Sequence, residues 1–185
     1  MQTITGVNNI FLKIGWLIHF FLISCCVSAQ LHPVSSASSL NFTIHNFGFK
    51  VSGTLAAPEG DILFNPDSLS ASYFHITVKS ASINTNNDSR DEHLREAGYF
   101  DVKNYPLIRF ISENIRTVKK GQYEVKGKLT IKNKTQEIIL PFTAEKAARG
   151  YIFSGNFKMK RKDYDVGSSS TISDELMVDL KVSAQ

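Results

Sequence analysis

Cysteine and tryptophan are absent from the chain after residue 29. Both cysteines, Cys25 and Cys26, and the single tryptophan, Trp16, precede that point. The rest of the chain therefore forms no internal disulfide, and its stability has to come from packing. Charge of one sign is also scarce: the 21 Lys and Arg, less Lys13, face 17 Asp and Glu, a net charge of +3. This small, scattered excess argues against nucleic acid as a partner.

The signatures of catalysis are missing as well. The sequence contains no serine in a nucleophile elbow and no glycine-rich loop that would cradle a phosphate. The four histidines after residue 29 have no spacing that demands a metal. His93 stands beside Asp91 and Glu92, but consecutive helical residues point in different directions, which favours a solvated helix start. We therefore predict no catalytic residue, no metal and no cofactor. A hydrolase or a metal-dependent enzyme stays open as the alternative.

Residues 1–29 are typical of a secretory signal peptide. Lys13 is their only charged side chain, and an apolar stretch from 14 to 23 follows it. The small residues of 27–29 form a plausible cleavage site, and the apolar stretch is too short for a membrane span. A second possibility is a lipoprotein box at 22–25, in which Cys25 would be acylated and become the new N-terminus. Both put the domain outside the cytoplasm. Simple cleavage predicts a periplasmic or secreted protein, and the alternative is a lipoprotein anchored at Cys25.

The sequence after residue 29 predicts one domain. Residues 30–39, rich in serine, are interpreted as a linker or a first irregular pass, and residues 40–185 as the folded domain. Ten phenylalanines occur after residue 29, and most lie in runs where apolar and polar residues alternate. Such alternation is typical of strands with one buried face. A sheet with bulky apolar side chains on one face buries that face when it closes into a barrel, so a barrel is predicted.

Eight or nine antiparallel strands joined by short turns are predicted, and we take eight for the barrel. The predicted strands are 40–44, 49–55, 61–64, 74–79, 107–115, 123–131, 137–145, 151–160 and 176–183. One segment breaks this rhythm. Residues 87–98 predict a short helix, with Ser89 and Glu92 at the spacing of a capping box and Gly98 just past its end. Asp91 and Arg95 are one turn apart and predict an ion pair.

One set of apolar side chains shares the inward parity of these strands. Each alone would be ordinary core, but an eight-stranded barrel encloses space for side chains or one small ligand. Gly53, Gly127 and Gly155 fall where a missing side chain leaves room or bends the sheet. The predicted ligand-contacting residues are Phe42, Ile44, Phe49, Phe74, Ile76, Val78, Phe110, Val125, Leu129, Ile131, Leu140, Phe142 and Phe157.

Seven short motifs occur in register along residues 38–183. They are 44–48 (IHNFG), 60–66 (GDILFNP), 81–85 (ASINT), 90–101 (RDEHL with YFD), 105–110 (YP with Ile108 and Phe110), 127–131 (GKLTI) and 161–164 (RKDY). In these motifs the chain resembles the YceI-like family, also called the lipid/polyisoprenoid-binding domain. It departs from the family at Tyr164, where phenylalanine is usual and where the added hydroxyl needs a partner.

The resemblance implies an extended lipocalin-like antiparallel barrel with an elongated apolar cavity. In that family the cavity holds an isoprenoid chain, such as a polyprenyl lipid or a quinone tail. The expected function is therefore storage or transport of an isoprenoid or other long-chain lipid. A barrel filled by its own side chains, serving as a stress or interaction module, is the third possibility.

The segment 158–162 (KMKRK) is the only local cluster of charge. We interpret it as a solvated strand end, and weak contact with a membrane surface is the alternative. The oligomeric state does not follow from the sequence.

Overall fold

The structure is a computed structural model that describes residues 30–185. The predictions made for residues 1–29, including the signal peptide and acylation at Cys25, lie outside the described residues. Among residues 30–185, no helix has the length and apolar character needed to cross a bilayer.

Nine antiparallel strands form one curled sheet. Every predicted strand is present, with its ends moved by a few residues. The strands are β1 (Ser39–Asn46), β2 (Phe49–Leu55), β3 (Glu59–Leu63), β4 (Tyr73–Lys79), β5 (Leu107–Lys119), β6 (Gln122–Ile131), β7 (Lys134–Lys146), β8 (Tyr151–Lys160) and β9 (Glu175–Ala184). Their order in the sheet is β2-β1-β9-β8-β7-β6-β5-β4-β3. The predicted all-β barrel is confirmed, with nine strands instead of eight, because the short β3 pairs with β4 along its whole length.

The gap between the two edge strands, β2 and β3, is bridged by residues outside the strands. Leu31 pairs with Ile62 of β3, and Pro33 pairs with the end of β9. On the other side, Asn84 pairs with Thr54 of β2. Leu31 is buried in the core. The segment around Leu31 and Pro33 therefore packs on the sheet and covers an open edge of it.

Strand β6 shows why the wall has one apolar and one polar face. Its side chains are alternately buried and accessible along Gln122–Ile131. On the outer face Lys126 bonds Glu137 at 2.9 Å, and Lys128 bonds Glu113 at 2.6 Å. The hydrogen bond from Lys128 lowers the pKa of the Glu113 carboxyl below its usual value. These exposed pairs add little stability, so the inward face carries the packing energy.

An aromatic cluster closes one end of the barrel. Phe64, just after β3, is 3 % exposed and lies at its centre. Its ring makes edge contacts at centroid distances of 5.1–5.3 Å with three other rings, an arrangement that aromatic pairs prefer. The rings around Phe64 are Phe74, Tyr123, Phe142, Tyr151 and Phe153.

The single α-helix of the described residues, α1 (Asp88–Arg95), is shorter than predicted and differently capped. Its N-cap is Asn87, whose side chain accepts a hydrogen bond from the Arg90 backbone N–H at 2.9 Å, so the predicted capping box of Ser89 and Glu92 is wrong. Arg95 does not pair with Asp91. It donates instead to the carbonyls of Ala81 and Ile83, both at 2.9 Å, and this fastens α1 to the segment that follows β4.

Candidate functional site

An elongated cavity of about 290 Å³ lies inside the barrel, at the lower end of the usual size of ligand cavities. Phe153, near the start of β8, and Arg161, just past its end, both line it. They are eight residue steps apart along the strand, a distance of roughly 26 Å at ~3.3 Å per residue. The lining is almost entirely apolar and contains two arginines but no aspartate or glutamate. Its shape and chemistry suit a long, narrow apolar molecule.

Twelve of the thirteen predicted contact residues line this cavity, and their role in binding stays a prediction. They are Phe42, Ile44, Phe74, Ile76, Val78, Phe110, Val125, Leu129, Ile131, Leu140, Phe142 and Phe157.

Phe49 is the exception and corrects the prediction. It has the same parity on β2 as Val51, which lines the cavity, but its side chain is 77 % exposed. The reason is its position along the barrel. Phe49 is the first residue of β2 and pairs with Asn46 at the tip of the β1–β2 hairpin, beyond the level at which the opposite wall could cover it.

Two glycines make room for phenylalanine rings on the cavity wall. A Cβ atom on Gly127 would lie 2.7 Å from Cζ of Phe110 and 2.6 Å from the Ile111 carbonyl oxygen. Gly53 faces Phe42 across the β1–β2 pair, and its Cβ would lie 2.9 Å from the Asn84 carbonyl oxygen. Both rings therefore lie against bare backbone, which leaves the centre of the barrel less filled.

Two residues of α1, Arg90 and Asp91, form a hydrogen-bonded polar cluster with Thr85 beside the cavity. The Arg90 side chain donates from Nε to Thr85 Oγ1 at 2.7 Å and from Nη2 to the Thr85 carbonyl at 2.9 Å. Thr85 in turn donates from its hydroxyl to Asp91 at 2.6 Å, and its backbone N–H donates to the same carboxylate at 2.9 Å. Asp91 is 4 % exposed. The predicted solvated helix start is thus wrong for this residue, because Asp91 anchors the helix to the barrel.

Arg161 is a second charged residue that the sequence did not mark as buried. It was predicted within a solvated basic cluster, but it is 5 % exposed. Lys158 of that cluster pairs with Glu175 on the outer face at 2.8 Å. The Arg161 guanidinium donates five hydrogen bonds of 2.5–3.0 Å, all to backbone carbonyls between 166 and 173. It therefore holds this loop against the cavity. The RKDY motif was the only sequence signal for this role.

Tyr164 lies on the same part of the wall and is 1 % exposed. Its hydroxyl has no hydrogen-bond partner among the described residues. Burial, with a smaller contribution from the Asp163 carboxylate, raises the pKa of Tyr164 to about 12. The Tyr164 hydroxyl is thus desolvated without compensation, which costs about 1–3 kcal/mol.

Tyr164→Phe is therefore expected to raise the free energy of unfolding at pH 7 by about 1 kcal/mol. The difference in the free energy of unfolding between the variant and the wild type should then increase as the pH rises. The unfolded tyrosine ionises near pH 10, whereas the folded one keeps its proton until about pH 12. Between these two pH values, ionisation of the tyrosine stabilises the unfolded state of the wild type. The free energy of unfolding of the wild type therefore falls by up to about 3 kcal/mol, whereas that of the variant does not change for this reason. Urea denaturation of both proteins from pH 7 to 11.5 measures this, and a variant less stable than wild type would contradict it.

No group of three or more His, Cys, Asp or Glu side chains in residues 30–185 is placed to hold a metal ion.

The curled antiparallel sheet and its enclosed apolar cavity place the protein in the class of lipocalin-like barrels. Within that class, residues 31–184 match the family model of the YceI-like domain. The chain therefore belongs to the YceI-like family.

Curated relatives of this chain include proteins named UPF0312. One from Vibrio cholerae is 28 % identical over 156 residues, covering 77 % of this chain and 80 % of the relative. One from Photorhabdus laumondii is 30 % identical over 183 residues, covering 84 % and 93 %.

Solved structures share the fold. The crystal structure of Burkholderia cenocepacia BcnA has a TM-score of 0.77 at 22 % identity, covering 81 % of this chain and 98 % of that one. A Campylobacter jejuni YceI protein has a TM-score of 0.65 at 27 % identity, covering 73 % and 85 %. A domain from Saccharophagus degradans, described as polyisoprenoid-binding and implicated in plant cell wall breakdown, has a TM-score of 0.68 at 14 % identity, covering 84 % and 97 %.

Proposed function

We propose that this protein is a binding protein, not an enzyme, that encloses an isoprenoid or similar long apolar chain for storage or transport. The observation that carries the proposal is the cavity itself, which is elongated, narrow and lined almost entirely by apolar side chains. The Saccharophagus domain, which shares the fold and is named for polyisoprenoid binding, supports the choice of ligand class.

The energetics favour a chain without a demanding head group. Each buried CH₂ contributes about 0.8 kcal/mol, so two or three isoprene units would contribute roughly 8–12 kcal/mol. Ordering the chain takes back several kcal/mol of this. Affinity should therefore depend chiefly on chain length, and this fits a wall on which the polar groups of Thr85, Arg90 and Arg161 are already bonded within the protein.

We also propose that the domain works outside the cytoplasm, in the periplasm or as a secreted protein. The support is the charge-poor apolar stretch of residues 14–23 followed by small residues. A lipoprotein anchored at Cys25 is the alternative route to the same side of the membrane.

Mass spectrometry of the native protein, purified from the cells that produce it, tests both the proposed binding of an isoprenoid and the proposed export. The organic extract is expected to contain a polyprenyl lipid or an isoprenoid quinone. The intact mass is expected to lack residues 1–29, whereas an acylated N-terminal Cys25 would identify the lipoprotein. An empty extract, together with no uptake of added polyprenol, would refute the carrier and favour a filled interaction module. Unprocessed protein in the cytoplasm would refute export.

A further inference from the structure

The tip of the β1–β2 hairpin presents two phenylalanine side chains to solvent. Phe47 is 71 % exposed and Phe49 is 77 % exposed, more than any other large apolar side chain in residues 30–185. Exposed rings of this size, side by side on one loop, mark an interaction site more often than a structural need. Neither ring is required to fill the barrel.

The backbone of the tip makes the presence of Phe47 more notable. Phe47 has φ +51° and Gly48 has φ +79°, so both central residues of the turn are left-handed. Hairpins with this turn usually contain Asn-Gly or Gly-Gly, because bulky residues are strained at positive φ. The fold would be served better by asparagine at position 47. A strained residue with a solvent-exposed ring indicates a role for the ring itself.

The tip is held at the rim of the cavity. The Phe47 backbone N–H donates to the Thr171 carbonyl at 2.9 Å, and Asn46 forms a bridge with Ile172. Asn46 and Ile172 both line the cavity. Phe49 follows the inward parity of Val51 one step further out. The apolar wall of the cavity therefore continues over the rim to the Phe49 ring.

One cationic side chain stands directly behind this apolar tip. It is Lys50, which is exposed and pairs with His45 across the hairpin. Lys50 has no ion-pair partner among the residues that the structure describes. Apolar side chains that enter the acyl boundary, with a cation at the height of the head groups, are the arrangement with which proteins lie on a bilayer that contains anionic lipid.

We propose that the Phe47–Phe49 tip inserts into the surface of a lipid bilayer and brings the cavity rim to the membrane. The further step, in which a lipid chain passes from the bilayer into the cavity, rests on the proposed function. A long isoprenoid is insoluble in water, so a carrier gains from an apolar path between the two. The insertion itself depends only on the tip.

Vesicle co-sedimentation tests the insertion. The probe is vesicles of phosphatidylcholine with phosphatidylglycerol as the minor lipid, and every protein carries Cys25→Ser so that no acyl anchor contributes. Phe47→Ser with Phe49→Ser is expected to weaken vesicle binding at least about tenfold, since two buried rings are lost. The matched control is Val118→Ser with Ile139→Ser, which removes apolar side chains 52 % and 59 % exposed on the outer wall. The control is expected to bind like the parent.

Equal binding by the tip variant and its control would overturn the proposal. So would a tip variant that loses self-association in sedimentation velocity while it binds vesicles like the parent, because the tip would then bind a second copy. A polyprenol loaded into the vesicles separates this proposal from the carrier function. We expect slower uptake by the tip variant with the same final amount. If the parent binds vesicles through the tip but takes up no polyprenol, the carrier function fails and the membrane contact stands.

Discussion

Ile76→Trp is expected to empty the barrel of lipid and leave it folded. Ile76 is half-buried on β4, and its side chain lines the cavity next to Phe110, its register partner on the neighbouring strand β5. An indole at this position occupies space inside the cavity instead of displacing packed side chains, so the cost of overpacking is small. Loss of room for only two CH₂ groups of a bound chain weakens binding by about 1.6 kcal/mol, which is more than tenfold. Because the cavity is narrow, we expect retained lipid to fall by at least that factor.

The control for this variant is its neighbour on the strand. His75 is exposed on the outer face of β4, so His75→Trp adds the same indole outside the barrel and should keep the lipid. The chain has no tryptophan after residue 29, which makes the new indole a clean reporter in the barrel. Its emission should be blue-shifted in Ile76→Trp and typical of water in His75→Trp. Full lipid retention by a folded Ile76→Trp would show that the cavity is not the binding site.

Arg161→Met is expected to lower the free energy of unfolding by about 3–5 kcal/mol. The five carbonyls between 166 and 173 would lose their donors. Those of Val166 and Gly167 are buried, and a buried carbonyl without a partner costs about 1–3 kcal/mol. The loop can recover part of this by turning some carbonyls to water, so the total stays below the sum. Arg161→Lys keeps the charge, but a single ammonium nitrogen cannot reach all five carbonyls, and it should recover only part of the loss.

Lys160→Ala serves as the matched control, since it removes an adjacent but exposed cation. Its effect on stability should stay within about 0.5 kcal/mol. Urea denaturation measures all three variants. A loss below about 1 kcal/mol for Arg161→Met would mean that the loop carbonyls find other donors, and that Arg161 does not hold the rim.

The local signals in the sequence were reliable where one rule decided the outcome. Period-two alternation located all nine strands, because each strand has one face inside the barrel and one in water. The same parity placed twelve predicted residues on the cavity wall. It failed at Phe49, because parity gives the face of a sheet but not the height at which the barrel ends. It also gave no sign that Phe64, which follows a short edge strand, is the centre of the aromatic cluster.

The polar residues were the other source of error, for a related reason. Asp91 and Arg161 have the local surroundings of surface residues, in an acidic helix start and in a basic run. Each is buried because of partners that the chain brings to it, Thr85 in one case and the loop carbonyls in the other. The fold class and the inward apolar face followed from the order of residues alone. Successive side chains of a strand point to opposite faces, so a few consecutive residues are enough to show which face is apolar. The ends of the cavity, its buried charges and the exposed hairpin tip were decided only by the tertiary structure, because they depend on how far each strand extends and on how the segments 85–91 and 161–173 fold back on themselves and pack against the barrel.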